Sequence, residues 1–195
     1  MILKDNYVQS GNIIHPVGKN ISMSYSDGDD TENYLLQVVE KVGDLSTSSK
    51  EWAQYIIDWP TRYHLSSQRA DLLRPLKSSF FSKKVLEIGS GCGAVTRWLG
   101  ESGAIVTALE GSERRARITA ARCRNLSEVS VVWENFDDLI TDEKFDIICL
   151  IGVLEYSNLY IKGDDPAGTL LRKIRGLLKE DGFVVIAIEN KLGLK

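Results

Sequence analysis

The residues in this sequence best suited to chemistry lie in Val85-Leu-Glu-Ile-Gly-Ser-Gly-Cys-Gly-Ala94, an apolar strand that runs into a glycine loop and at once into a helix. Gly89, Gly91 and Gly93 permit positive φ and let a ligand lie directly against the backbone. Amide N–H groups left open at the following helix start, with Ser90 among the glycines, favour a polar or anionic group there. The loop alone is ambiguous. Gly89, Gly91 and Ala94 also fit the dinucleotide pattern with alanine in third place, so NAD or FAD remains open at this point. Glu87, two residues before Gly89, offers a carboxylate that can pair with an ammonium group. Glu110 closes the next strand, 21 residues after Gly89, where an acid can accept hydrogen bonds from both hydroxyls of a ribose.

A third segment, Phe145-Asp-Ile-Ile-Cys-Leu-Ile-Gly-Val-Leu-Glu-Tyr156, is a strand whose far end would form a loop over the reacting group. Its Glu155 and Tyr156 read either as ordinary helix-start residues or as substrate contacts. The chain has two histidines. His15 precedes a proline in a polar stretch and reads as structural or surface. Tyr63-His64 follow a turn and precede the helix that leads to the sheet, so the segment carrying them can fold over a ligand cleft. His64 and Glu155 are therefore the candidate catalytic bases, needed only if an acceptor carries a proton that must leave. Trp52, Trp59, Trp98 and Trp133 read as packing residues.

Those residues need a scaffold. From Lys84 onward, strands at Val85–Ile88, Ile105–Leu109, Val129–Trp133, Phe145–Leu150 and Phe183–Ile188 alternate with helices at about Ala94–Glu101, Glu113–Asn125 and Ala167–Lys179. Near-continuous apolar strands in strand-helix-strand alternation predict an α/β domain with a parallel sheet covered on both faces. Its crossovers are right-handed, which gives a doubly wound, Rossmann-like sheet. On the second helix, Ala116, Thr119, Ala120 and Cys123 share one small-residue face, and five arginines surround the rest, reading as a solvated surface instead of a nucleic-acid patch. Residues 1–80 are polar and irregular. They suggest a helix capped by Thr31, a second over Lys50–Asp58 stopped by Pro60, and a third opened by Ser66-Ser67. The division expected is thus 1–80, a helical cover or substrate segment, and 81–195, the ligand-binding domain.

Composition excludes several classes. A chain of 195 residues, 43% hydrophobic and 26% charged with net charge −3, has enough apolar residues for one substantial core. Cys92, Cys123 and Cys149 are an odd number in apolar or glycine-rich settings, which fits reduced thiols in a cytoplasmic protein. Lys4 and Asp5 interrupt the apolar opening, so no signal peptide is read. The longest apolar runs fall far short of the roughly 20 residues a membrane span needs. No metal-ligand cluster is visible.

Taken in order, VLEIGSGCG, ALEGS, NFDDL and FDIICLIGVLEY resemble the motifs of class I S-adenosylmethionine-dependent methyltransferases, over roughly residues 84–190. That resemblance implies S-adenosylmethionine as cofactor. Glu87, Gly89 and Gly91 would line its methionine part, with Ser90 and Gly93 in the same loop. Glu110 would hold the ribose hydroxyls, with Gly111 and Ser112 beside the adenine. Asn135 and Phe136 would flank the adenine edge and face, and the backbone of Ile151 and Gly152 would border the methionine arm. The adenine-edge position is often Asp in that family; Asn135 stands here, and Asp137 or Asp138 could serve instead. Nucleic-acid methylation is disfavoured by the acidic charge, and Ile151-Gly-Val-Leu stands where base-flipping enzymes carry a motif such as Asn-Pro-Pro-Tyr. Besides an NAD(P)-dependent oxidoreductase, a non-catalytic scaffold on the same fold is the remaining alternative.

A narrower resemblance joins DWPTRYHLSSQRADLLRPL, EIGSGCGAVTRWLGE, IGVLEY and AIENKLGLK. Together they are similar to a bacterial methyltransferase group associated with surface-polysaccharide (O-antigen or capsule) biosynthesis, some of whose members are joined to glycosyltransferases. It implies a saccharide or other small-molecule acceptor. Only seven residues follow the fifth strand, where a sheet of this class continues with a helix and two further strands. The expectation is a fragment, or a subunit whose sheet edge is covered by a second copy or a glycosyltransferase partner.

Overall fold

Among residues 7–18 and 26–188, which the computed structural model describes, the apolar runs become strands of one mixed sheet. These are β1 (Tyr7–Ser10), β2 (Ile13–Pro16), β3 (Lys84–Ile88), β4 (Ile105–Glu110), β5 (Val129–Trp133), β6 (Phe145–Ile151) and β7 (Leu178–Ala187). The helices are α1 (Asp29–Lys41), α2 (Trp59–Leu65), α3 (Lys77–Phe80), α4 (Ala94–Glu101), α5 (Glu113–Arg122), α6 (Ser157–Tyr160) and α7 (Pro166–Leu177). The sheet order is β1-β2-β5-β4-β3-β6-β7; only β1 and β2 pair antiparallel. The chain walks outward from β3 through β4 to β5, then returns to place β6 on the other side of β3. That reversal opens a crevice at the carboxyl ends of β3 and β6, the usual ligand position in such sheets.

The central strands β3 to β6 are buried on both faces. Val85, Val106, Val131 and Ile147 pack under α4 and α5 with Trp98, Leu99 and Ala120, whereas Leu86, Leu109, Ile148 and Leu150 meet Leu170 and Ile174 of α7. A third layer follows. Leu35, Val38 and Val39 of α1, with Val42 just past its end, cluster with Trp52, Leu65 and Ile118 on the outer side of α5.

That third layer overturns the reading of the arginines as a solvated surface for Arg115 and Arg122, whereas Arg117 and Arg124 remain exposed. Arg115 and Arg122 are 5% and 1% exposed, because α1 and α2 cover the helix back that the sequence left open. Arg122 donates from Nη1 to the His64 carbonyl at 2.7 Å and stacks over Trp52, its Cζ 4.7 Å from the ring centre. Arg124 donates to the carbonyls of Val39 and Val42 at the end of α1.

The first 80 residues also differ from expectation. Tyr7–Ser10 and Ile13–Pro16 form a hairpin turning at Gly11, and β2 extends the sheet beside β5, so part of this segment lies in the same sheet as β3–β7. α1 starts at Asp29 behind Gly28, with Thr31 inside its first turn. Residues Lys50–Tyr55 make a 3-10 helix capped by Ser49. Pro60 does not stop a helix; it sits in the first turn of α2, where its missing N–H costs nothing, behind the Asp58–Thr61 capping box. Ser66 caps a 3-10 stretch over Ser67–Leu76. Trp59, at the first position of α2, is 73% exposed and is not a packing residue; Trp52 and Trp98 are buried. β7 is the last strand of the sheet as described, with Phe183 and Ile186 partly exposed. The sequence reading of the final seven residues falls outside the described residues.

Candidate functional site

The glycine loop is tied down by its neighbours. Gly89 and Ser90 both donate to the Leu109 carbonyl, at 2.9 and 3.0 Å, which carries the chain from β3 across the end of β4. Gly89 has φ +72°, and a Cβ there would stand 2.7 Å from Val153 Cγ2. Gly91 has open space above it, whereas a Cβ at Gly93 would press on Thr119 of α5 at 2.9 Å. Gly89 and Gly91 therefore border a cavity. Gly93 lets α4 start against α5 and is not among the residues lining that cavity.

The cavity holds about 300 Å³ and lies at the crevice between β3 and β6. Its floor carries Glu87, Gly89, Ser90, Gly91 and Glu110; Ile151, Gly152 and Glu155 line the other side, and Tyr63, His64 and Arg69 come from the N-terminal segment. Glu110 is buried, and its two oxygens accept from Gly91 N–H at 2.7 Å and Ser112 N–H at 2.9 Å. An ionised carboxylate has about four acceptor positions, so two remain for an incoming pair of hydroxyls. Burial pushes this carboxyl above its ordinary range, and the two backbone donors oppose that shift.

Glu87 lies mid-sheet, in register with Ala108 on one side and Cys149 on the other. Thr96 Oγ1 donates to its Oε2 at 2.5 Å. Burial pushes its carboxyl up to about 8, against the opposing hydrogen bond from Thr96. Ser90 Oγ is likewise buried and has no hydrogen-bond partner among the described residues. Two under-satisfied polar groups beside a glycine cradle fit a ligand bearing an ammonium and further polar atoms.

The wall above this floor comes from residues the motifs did not include. The Arg69 guanidinium stacks on Tyr63, 3.8 Å from the ring centre, and Nη2 donates to the Tyr63 hydroxyl at 2.8 Å. A Cβ at Gly152 would lie 3.7 Å from that hydroxyl, so α2 reaches across the crevice. His64 is 5% exposed, with Nε2 2.7 Å from Asp27 Oδ2. Arg115 donates from Nη2 to the same oxygen at 2.6 Å, and from Nε to buried Glu32 at 2.8 Å. Hydrogen bonding to His64 and the Arg115 charge hold the Asp27 carboxyl below the usual range, against the effect of burial.

The adenine-side assignments are not brought to the cavity. Gly111 and Ser112 line a separate shallow depression with Glu32, Arg114 and Arg117, and Ser112 caps α5. Phe136 packs into the α7 side of the core under Lys173, whose ammonium lies 4.7 Å from the ring and donates to the Phe136 carbonyl. The Asn135 carbonyl accepts from Asp138 and Leu139 in a tight turn. Local turn geometry and apolar burial claim these residues. Asp27 and Arg69 were not read as site residues, and Arg115 was read as a surface arginine; Arg69 follows the Tyr63-His64 pair in the same run, whereas Asp27 carried no local signal. Among the described residues no group of three or more His, Cys, Asp or Glu is placed to hold a metal ion. No helix among them is long and apolar enough to cross a membrane. The three cysteines are buried and unpaired by disulfides.

With this geometry in view, comparison with known proteins is informative. A methyltransferase domain family model matches residues 86–184, half of the chain. A ubiquinone biosynthesis O-methyltransferase of Glaesserella parasuis is 29% identical over 162 residues, covering 80% of this chain and 64% of that protein. A demethylmenaquinone methyltransferase of Tropheryma whipplei is 33% identical over 69 residues, 35% of this chain and 29% of that protein. The chain thus spans less than two thirds of the length of these curated relatives. Among solved structures, the CcbJ methyltransferase from Streptomyces caelestis superposes with TM-score 0.54 at 25% identity, covering 72% of this chain and 57% of that one. The N-methyltransferase NodS from Bradyrhizobium japonicum, in complex with S-adenosyl-L-homocysteine, shares the fold with TM-score 0.54 at 22% identity, covering 80% and 72%.

Proposed function

This chain belongs to the methyltransferase domain family, and from that premise we propose that it transfers the methyl group of S-adenosylmethionine to a hydroxyl of a small acceptor. One observation carries the reading: two buried carboxylates, Glu87 and Glu110, flank a glycine loop that has open space above Gly91. A sulfonium cofactor supplies an electrophilic methyl carbon with a good leaving group. Glu87 receives the methionine ammonium, which offsets the cost of burying its charge. Glu110 uses its two remaining acceptor positions for the ribose hydroxyls. Arg69, held rigid by Tyr63, supplies the cation for the methionine carboxylate; the other arginine at this cavity, Arg115, is engaged by Glu32 and Asp27. Backbone at Ile151 and Gly152 borders the methionine arm, and Ser90 Oγ gains the partner it lacks.

The remaining work falls to orientation and water exclusion, which together supply about 7–11 kcal/mol in favourable cases. Tyr63, His64 and Leu72 at this cavity support a covering role on the acceptor side for the segment that carries them. His64 is the base for a hydroxyl proton, with Glu155 the second candidate at the same cavity.

For the acceptor we favour a saccharide, as in surface-polysaccharide biosynthesis, on the resemblance of the 58–76 and 87–101 segments. A phenolic acceptor is the second reading, favoured by Tyr63, Tyr156 and Tyr160 at the cavity. The curated relatives named for ubiquinone biosynthesis support the same alternative. A cytoplasmic enzyme, with the β7 edge covered by a second copy or a glycosyltransferase, completes the proposal; size-exclusion chromatography returning a monomer counts against the second copy. The decisive experiment is calorimetry with S-adenosylmethionine and NAD, followed by transfer of a labelled methyl group to catechol and methyl glucoside. Preference for NAD refutes the reading. Cofactor binding without transfer to any acceptor supports the scaffold alternative.

A further inference from the structure

We propose that Asp27 is a positioning residue for His64: its carboxylate holds the Nε2 proton and leaves Nδ1 as the ring nitrogen that accepts the acceptor's proton. This rests on the proposed role of His64 as base. Nε2 lies 2.7 Å from Asp27 Oδ2, and both residues line the cavity. An ionised carboxylate and an unprotonated ring nitrogen at that separation would oppose two lone pairs, so the proton sits on Nε2. Asp27 stays ionised because Arg115 donates to the same oxygen at 2.6 Å. Arg115 is in turn fixed by Glu32 of α1, so three elements, α1, α2 and α5, set the direction of the imidazole. No hydrogen bond to Nδ1 is formed among the described residues. The charged groups around the ring are Asp27, Arg115 and Arg122, with Glu32 behind Arg115.

The chemistry balances with one proton moved. The acceptor oxygen forms its bond to the methyl carbon as the carbon–sulfur electron pair retires onto sulfur. The hydroxyl proton passes to Nδ1, and the resulting imidazolium rests against the Asp27 carboxylate. Such an arrangement serves an acceptor whose nucleophile carries a proton, a hydroxyl before a tertiary amine.

Nitrogen-15 spectra of the histidine rings test this without any acceptor. The chain has only two histidines, so His15→Gln assigns both signals. The neutral wild-type ring of His64 is expected as the Nε2–H tautomer; an Nδ1–H tautomer overturns the proposal, even if the Asp27 variant does not fold. In Asp27→Asn the amide N–H2 can turn to donate to Nε2, and the proton is expected to move to Nδ1. With catechol and methyl glucoside as probes, kcat is expected to fall by about 10²–10⁴-fold while KM and the affinity for S-adenosylmethionine hold. Full transfer by His64→Gln refutes the base itself, and so the reading beneath. An impaired His64→Gln beside an Asp27→Asn with unchanged tautomer and rate refutes the positioning role alone.

Discussion

Replacing Glu87 by Gln keeps the shape of a buried side chain and removes its charge, and the consequence depends on pH. In the ligand-free protein the carboxyl ionises at about 8 against 4.5 when unfolded. Receiving an ammonium requires the carboxylate, so at about pH 7 binding first costs one unit of ionisation, about 1.4 kcal/mol. The charge-assisted hydrogen bond then returns about 1.5–3 kcal/mol. Wild-type affinity for S-adenosylmethionine should therefore climb about tenfold per unit between about pH 6 and about pH 7.5. The Gln variant should bind almost independently of pH across that window. Its deficit relative to wild type, negligible near the acid end, should widen steadily with pH. Stability has the opposite slope. Between 4.5 and about 8 the folded, ligand-free state holds one proton more than the unfolded chain, so wild-type stability falls as pH rises through that range. Glu87→Gln should remove the Glu87 share of that fall and leave the share from Glu110, whose carboxyl burial also raises. Calorimetric titrations and thermal melts at a series of pH values measure both arms. Parallel affinity curves for the two proteins would refute the pairing of Glu87 with an ammonium.

Other changes probe the remaining parts. Glu110→Ala removes the ribose acceptors and frees the N–H groups of Gly91 and Ser112; calorimetry should detect no cofactor binding, and unchanged affinity would remove the ribose assignment. Gly89→Ala forces a side chain into φ +72° and against Val153, so denaturant titration should show a loss of about 1–2 kcal/mol or more, together with weaker binding. Arg115→Met leaves Glu32, 2% exposed, without its main cation, and should cost about 3–5 kcal/mol in the same assay. That variant also releases Asp27, so the His64 ring signal should change with it.

The sequence by itself determined the central sheet. Valine- and isoleucine-rich runs between amphipathic helices have few ways to bury both faces, so β3 to β7 and their crossovers follow from periodicity. The glycine loop and its two glutamates were legible for a related reason: backbone conformation and strand-end position are local properties, fixed within a few residues. Tertiary structure decided what distance in sequence conceals. The Tyr7–Pro16 hairpin was signalled only by short β-branched runs around Gly11-Asn12, and its place beside β5 depends on an edge formed more than a hundred residues later. Arg115 and Arg122 looked as solvated as Arg117 because nothing local announces that α1 and α2 will cover them. Buried guanidiniums are tolerable only where Glu32, Asp27 and backbone carbonyls arrive from elsewhere to meet them. Phe136 packs against an apolar cluster under Lys173 that its motif position did not announce. Local sequence chose the floor of the site; long-range burial, which pairs charges only after the chain has closed, chose the wall that faces it.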